Sequence, residues 1–478
     1  MFIGRENELA TLERLYAKDG FQFPVVYGRR RVGKTALISE FTREKPTVFF
    51  TAVEDNLRVN LQNLSGAIHL FEHPDADPAA APCYDSLQSA FEGVFGMGRG
   101  RRIVFVIDEY PYLAKAEPAC SSILQMLIDR TKGESGLMLI LCGSSLSFMR
   151  EQVLGRKSPL YGRRTAQLEI KPFDFFDSMR FFPDADPVEA AHYYGMVGGV
   201  PLYLRQFDAS ASFEANVATV FLDASSILFE EPQNLLLQEV QKAALYNTVI
   251  GAIAKGKTAH NEIATTAGLT TTELTYYLKE LQRIGLVERE VPVVNAGRRA
   301  VYRLSDNLFR FWYRFVLPQR SVIGRGMSGR VLRVIEEGLP DYMGSVFEQI
   351  CAEWLWRMNA SGTLTPGFDE LGRWWGSDPE LRSEEELDIV CLGSRHPVIV
   401  AECKWRNELV GTKEDDTLVR RARLVGGGPA TVRYLFSKTG FTRGCSERAC
   451  SDANLRLVAL DDMIESVPAP ESKRETTA

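Results

Sequence analysis

Residues 23-FPVVYGRRRVGKTALISEF-41 join a short apolar strand, a glycine-rich turn and an amphipathic helix. The turn reads Gly28-x-x-x-x-Gly33-Lys34-Thr35, the full spacing of a phosphate-binding P-loop. Gly28 and Gly33 let the backbone curl, so that N–H groups through Arg29, Arg30, Arg31, Val32 and Ala36 are expected to face a phosphate chain. The positive end of the helix that starts near Gly33 adds to the attraction. Lys34 is placed to reach the β- and γ-phosphates, and the Thr35 hydroxyl to ligate Mg²⁺. A chance match in a glycine turn lacks the flanking strand of Val25, Val26 and Tyr27 and the helix of Leu37, Ile38 and Phe41. ATP with Mg²⁺ is the expected ligand.

The rest of the chain bounds what such a site can serve. A length of 478 residues suggests about three domains, and 45% hydrophobic with 25% charged residues is ordinary globular composition. A net charge of −6 argues against a dedicated nucleic-acid coat, so any DNA contact must come from local basic faces. Eight scattered cysteines without a CxxC fit a reducing compartment, and five scattered histidines disfavour a His-built metal site. No apolar run approaches the roughly 20 residues of a membrane span. The expectation is a cytoplasmic protein with no membrane partner.

Farther along, 99-RGRRIVFVIDEYPYL-113 contains five consecutive apolar residues, Ile103 to Ile107, as in a strand buried on both faces of a parallel sheet. It ends in Asp108 and Glu109. Behind a P-loop, Asp108 is the expected Mg²⁺ ligand and Glu109 the residue that polarises the attacking water; the plain alternative is a strand stopping at two solvated acids. A second buried run, 137-LMLILCGSS-145, ends at Ser144, either a γ-phosphate sensor or simply a turn. Arg163 and Arg164 precede a last core strand, either as a solvated face or with one of them an arginine finger. The segment 195-GMVGGVPLYL-204 bends at Gly198, Gly199 and Pro201.

Taken together, FIGRENEL, YGRRRVGKT, VFVIDEYPYL, the Gly-Ser-Ser and GGVPLYL resemble the archaeal-type ATPases of the STAND/AAA-like group. The resemblance covers about the first half of the chain. It implies a 5-1-4-3-2 parallel sheet with a helical lid, Gly4 and Arg5 beside the adenine, Pro201 approaching the base, and an arginine finger at Arg163 or Arg164.

Residues 259–290 read as helix, turn at Gly268 and second helix, the latter opened by a Thr270-x-x-Glu273 capping box and buried through Leu274, Leu278, Leu281 and Ile284. Two strands, 286–293 and 300–305, follow around NAGRR. This resembles a winged helix. Thr271, Thr272, Tyr276 and Lys279, with Arg298 and Arg299 on the wing, suit groove and phosphate contacts; use as a protein-packing lid module is the alternative. In 308-LFRFWYRFVLPQRSVIGRGMSGRVLRVI-335, Arg310, Arg314, Arg320, Arg325, Arg330 and Arg333 interleave with aromatics. That is either a nucleic-acid surface or a packed junction through Phe311, Trp312 and Phe315 with the arginines in solvent.

The C-terminal third holds a third constellation. A helix over 345–358 carries Glu348 near its start, a strand over 386–392 carries Asp388, and a tight turn leads to 397-PVIVAECKWR-406 with Glu402 and Lys404. Residues two apart in a strand face one side, and if the two strands pair as a hairpin Asp388 meets them. Two carboxylates to hold Mg²⁺ beside a lysine to orient water is the equipment of phosphodiester hydrolysis; the plain alternative is charges at a sheet edge. The set resembles the PD-(D/E)xK nucleases, in the version found behind this ATPase family. That resemblance implies Asp388 and Glu402 as metal ligands, Lys404 as catalytic lysine and Glu348 as the helical acid.

The expected fold class is therefore α/β multidomain. Residues 1–207 form a P-loop ATPase core and the start of the lid, and 208–305 the lid remainder and winged helix. Residues 306–335 form a basic, aromatic linker, 336–462 a restriction-endonuclease-like α/β domain, and 463–478 a disordered tail. Three functions compete: an ATPase switch controlling a DNA-binding, Mg²⁺-dependent DNA-cleaving domain; a non-catalytic STAND-like regulator in which ATP locks a homo-oligomer; and a protein-remodelling ATPase without nucleic acid.

Overall fold

The computed structural model describes residues 2–240, 243–294 and 300–467. Two compact units divide the chain: Met1–Pro172 with Val200–Leu202, and Phe173–Gly199 with Tyr203 onward.

The first unit is built on five parallel strands: β1 (Pro24–Tyr27), β2 (Thr47–Thr51), β3 (Ile103–Asp108), β4 (Leu137–Gly143) and β5 (Ala166–Glu169). Their order is β2-β3-β4-β1-β5, the expected 5-1-4-3-2 arrangement. β3 and β4 are buried throughout because helices cover both sheet faces. Alternate residues feed two cores, with Val25, Phe105 and Leu139 on one face and Val26, Val104 and Ile140 on the other. Since the strands run the same way, the P-loop after β1, Asp108 at the end of β3 and Ser144 after β4 come to one edge. Arg163 and Arg164 do not. Ala166 pairs with Pro24 and Glu169 with Tyr27, so both arginines precede β5 at the opposite edge. Three strand steps at about 3.3 Å each separate that edge from the P-loop.

In the second unit, helices Ala243–Ala254, His260–Ala267 and Thr271–Arg283 lead to an antiparallel ribbon of β6 (Val287–Glu290) and β7 (Val301–Leu304). Gly268 takes φ 66 at the turn. The capping box forms reciprocally, Thr270 Oγ1 accepting from Glu273 N and Glu273 Oε2 from Thr270 N. Leu274, Leu278, Leu281 and Ile284 are buried, and Thr271, Thr272, Tyr276 and Lys279 are exposed. Arg298 and Arg299 lie outside the described residues.

The expected linker over 306–335 is instead packed helix. Phe311 and Trp312 are fully buried, and the single helix Ser328–Ala360 absorbs the end of that segment together with the expected helix at 345. Its buried stripe, Val331, Ile335, Leu339, Tyr342 and Val346, keeps helical spacing across Pro340, so packing outweighs the lost backbone bond. Two arginines of this stretch find acids elsewhere in the unit, Arg314 pairing with Asp341 and Arg320 with Glu230.

A second sheet follows: β8 (Glu370–Asp378), β9 (Ser383–Gly393), β10 (His396–Lys404), β11 (Val432–Ser437) and β12 (Leu455–Ala459), in the order β12-β11-β10-β9-β8. β8, β9 and β10 form an antiparallel meander, while β11 and β12 run parallel to β10 behind helices Thr412–Leu424 and Arg443–Ser451. The tail expected from 463 begins later, because helix Leu460–Ser466 buries Met463 completely; residues 468–478 lie outside the described residues. Among the described residues no helix is long and apolar enough to cross a membrane.

Candidate nucleotide site and a second acidic site

The P-loop owes its shape to two glycines. A Cβ on Gly28 would sit 2.2 Å from the Ile170 carbonyl oxygen, and Gly33 holds φ 91 as the helix Lys34–Thr42 begins. Lys34 Nζ donates to the Arg29 carbonyl across 2.9 Å, and Thr35 Oγ1 donates to Asp108 Oδ2 across 2.9 Å. Burial holds the Lys34 ammonium below the usual lysine range, against the opposing pull of Cys142, Glu109 and Asp108.

Glu109 adopts a left-handed backbone, φ 50, and its N–H donates to Asp108 Oδ1. Its side chain accepts from Ser144 Oγ across 2.7 Å, so Ser144 is tied to the candidate water-activating acid. Arg30 donates to Tyr112 across 2.7 Å. Arg5, also left-handed at φ 68, donates to the Val32 carbonyl across 3.1 Å and to the Lys171 carbonyl; it props the loop from behind, next to Gly4 at φ 68. Pro201 stands over the loop, its Cγ 3.7 Å from where a Cβ on Gly33 would lie. Val32 is buried, whereas Thr35 and Ala36 are exposed at the open edge.

Arg163 is bound in a fork to Asp129, Nε at 2.9 Å and Nη2 at 2.6 Å, and Arg164 donates to Gln167. Besides the arginines of the P-loop itself, Arg150 comes to the nucleotide edge, where it pairs with Glu169 across 2.8 Å, level with Tyr27. Its sequence neighbourhood offers no motif; only the register of β5 against β1 brings it there.

The second site lies on β9 and β10. Asp388 and Glu402 are 8% and 7% exposed. Asp388 Oδ2 accepts from Cys403 N across 2.8 Å, and Lys404 Nζ donates to Glu402 Oε1 across 2.6 Å. Burial, then the charges of Glu402 and Glu348, push Asp388 up to about 7. Glu348, in mid-helix rather than near a helix start, is ion-paired with Arg373, and burial raises it against that pairing. A cavity of about 550 Å³ reaches Asp388, Glu348 and Arg373 on one side and Glu290, Arg303 and Arg310 on the other. Arg303 Nε lies 3.1 Å from Glu290 Oε2 there, an ion pair without hydrogen-bond alignment. The segment after β6 docks onto the sheet, Val293 N donating to the Arg373 carbonyl across 2.9 Å.

Two further residues carry no sequence signal as site members. Arg421, on helix Thr412–Leu424, donates from Nη1 to both Glu402 oxygens at 3.1 and 3.3 Å, and from Nε to Glu385 at 2.7 Å. Trp405, next to Lys404, packs against His192 with ring centroids 5.7 Å apart.

The donor chemistry at both places is hard oxygen. Thr35 with Asp108 suits Mg²⁺ held partly through substrate phosphate, and Asp388 with Glu402 is a two-carboxylate set of the kind Mg²⁺ takes. Among the described residues no three His, Cys, Asp or Glu side chains converge as a metal cluster, so Glu348 does not complete a triad.

Fold and site together define a P-loop ATPase. A family model for an ATPase domain predominantly from Archaea matches residues 2–207, and one described as archaeal and bacterial proteins of unknown function matches residues 312–417. An uncharacterised protein of Methanocaldococcus jannaschii is 31% identical over 436 residues, spanning 89% of this chain and 93% of the relative. A Walker-type ATPase of Pyrococcus abyssi superposes with a TM-score of 0.50 at 20% identity, covering 66% of this chain and 96% of that one. The chain belongs to the same family as the M. jannaschii protein, and its first 207 residues carry the ATPase domain found predominantly in Archaea.

Proposed function

We propose that this ATPase is a nucleotide-driven switch that controls a DNA-facing C-terminal half with a Mg²⁺-dependent nuclease-like site. The observation that carries the reading is the pairing of Asp388, Glu402 and Lys404 on adjacent antiparallel strands, in a chain that also holds a full P-loop. That is the placement required by the resemblance to PD-(D/E)xK nucleases.

In the ATPase unit Lys34 leaves the Arg29 carbonyl to bind the β- and γ-phosphates. Glu109 takes the proton of the attacking water, oriented by Ser144. Thr35 and Asp108 would hold Mg²⁺, which neutralises charge on the transferred phosphoryl group. Pro201 packs beside the base, while Gly4 and Arg5 shape the adenine side. An arginine finger from Arg163 or Arg164 would serve only a second copy of the chain, and would first have to leave Asp129 in the case of Arg163.

In the C-terminal sheet Asp388 and Glu402 would hold the metal and Lys404 would orient water toward the phosphodiester. The helix pair His260–Arg283 with its ribbon reads as a winged helix, its exposed Thr271, Thr272, Tyr276 and Lys279 facing DNA. A second reading, the ATP-dependent regulator that binds without cutting, is favoured by the cations already seated on Glu402.

Supercoiled plasmid incubated with Mg²⁺ and ATP tests the choice. The switch reading expects nicking that is lost in Asp388→Ala and Lys404→Ala, while ATP binding persists. Binding in EDTA with no cleavage under any condition would leave the regulator.

A further inference from the structure

The side chains around Glu402 form one alternating chain of charge. Lys404 touches one Glu402 oxygen, and Arg421 bridges both oxygens and then continues to Glu385. Glu385 receives Arg420 across 2.8 Å, and Arg420 ends on Asp378. The carboxylates are well shielded, with Glu402 and Glu385 side chains 9% exposed and Asp378 2% exposed, whereas Arg421 retains 18%. Glu385 holds the Nε of Arg421 while Nη1 meets Glu402.

A divalent cation approaching Asp388 and Glu402 needs a lone pair from Glu402. Lys404 leaves Oε2 untouched, because it reaches only Oε1. Arg421 occupies both. A guanidinium seated against both Glu402 oxygens opposes a divalent cation there, since the two cations repel each other and compete for the charge of one carboxylate.

We propose that Arg421 is a gating residue for the C-terminal metal site, a resident cation that opposes the metal on Glu402 until its Nη1 leaves Glu402, with Nε still held by Glu385. The inference rests on the reading of Asp388 and Glu402 as a metal pair. It adds that loading of that pair is opposed by the protein's own arginine, so the resting site is shut against Mg²⁺ at the level of one ligand. An arginine that only braces the fold would instead support the site.

The test is Mn²⁺ binding to the nucleotide-free full chain, measured by the loss of free-ion electron paramagnetic resonance signal, with Asp388→Asn subtracted as background. Arg421→Gln should bind Mn²⁺ about tenfold more tightly than wild type, the change expected on freeing one partly buried carboxylate from a close charge pair. Arg421→Lys, which keeps the charge but not the fork, should fall between the two, and serves if Arg421→Gln melts early. Glu402→Gln should abolish the binding in either background. Unchanged or weaker binding in Arg421→Gln and Arg421→Lys, with Asp388-dependent binding in wild type, overturns the gate and leaves the metal pair standing. Absence of Asp388-dependent binding in every variant overturns the metal reading, and the gate with it.

Discussion

Ser144 Oγ donates to Glu109 Oε2 across 2.7 Å, joining the residue after β4 to the residue after β3 at the open edge of the ATPase sheet. The bond fixes the carboxylate of a residue whose backbone is already left-handed, at φ 50. Glu109→Gln should lower ATP turnover by about 10²-fold or more, the usual worth of a positioned general base. Ser144→Ala should cost about tenfold through loss of orientation. Both should bind ATP as wild type does, so phosphate release measured beside equilibrium nucleotide binding separates chemistry from affinity.

Lys34 is buried with its pKa lowered, so below that folded pKa the protein carries a charge that burial opposes. The cost is present at neutral pH and disappears only as pH rises toward the unfolded value of 10.5. Lys34→Met should therefore raise the nucleotide-free melting temperature, by about 2–4 °C for each kcal/mol relieved in a domain of this size. It should also abolish the rise in melting temperature produced by MgATP. Differential scanning fluorimetry with and without nucleotide reads both.

Gly28→Ala places a methyl group 2.2 Å from the Ile170 carbonyl oxygen, where backbone faces backbone and neither can retreat. Urea unfolding should show a loss of about 3 kcal/mol or more. Gly96→Ala, in helix Leu87–Met97 with nothing within 4 Å, should be neutral or stabilising.

His192 lies between Phe213 and Trp405, and burial with the nearby Lys438 lowers it to about 4, against the pull of Asp186. Its neutral form is the one the fold accepts. The stability this brings is complete above the unfolded value of 6.5 and is lost as pH falls through about 4. Tryptophan fluorescence during acid titration should show a transition in that window. In His192→Phe the component should be absent.

A Cβ on Gly372 would lie 3.0 Å from Val293 Cβ, near disulfide range after a small adjustment. Val293→Cys with Gly372→Cys should crosslink under mild oxidation, read by a gel shift reversed on reduction. If Asp388 is reached from the cavity beneath this segment, the oxidised form should lose DNA nicking and the reduced form regain it.

Much of the ATPase half is legible in sequence because its chemistry sits in contiguous residues. The P-loop and the apolar run of β3 with Asp108 and Glu109 are each written within a few positions, as is the Thr270–Glu273 capping box in the second unit. The segment expected as a linker over 306–335 is packed, in keeping with the junction alternative through Phe311, Trp312 and Phe315. Arg314 and Arg320 meet Asp341 and Glu230, and the apolar residues at its end continue a helical stripe through Pro340.

By itself the sequence determined a nucleotide-binding loop, two apolar strand runs joined by a tight turn at 393–396, and which acids and lysine those strands carry. Those follow from local periodicity and short-range hydrogen bonds, which depend on residues a few places apart. Only the tertiary structure decided that Arg163 faces the far edge of the sheet, that Arg150 stands at the near one, and that Arg421 closes on Glu402. Strand register and helix packing set those positions, and the partners they select lie 19 or more residues away in the chain.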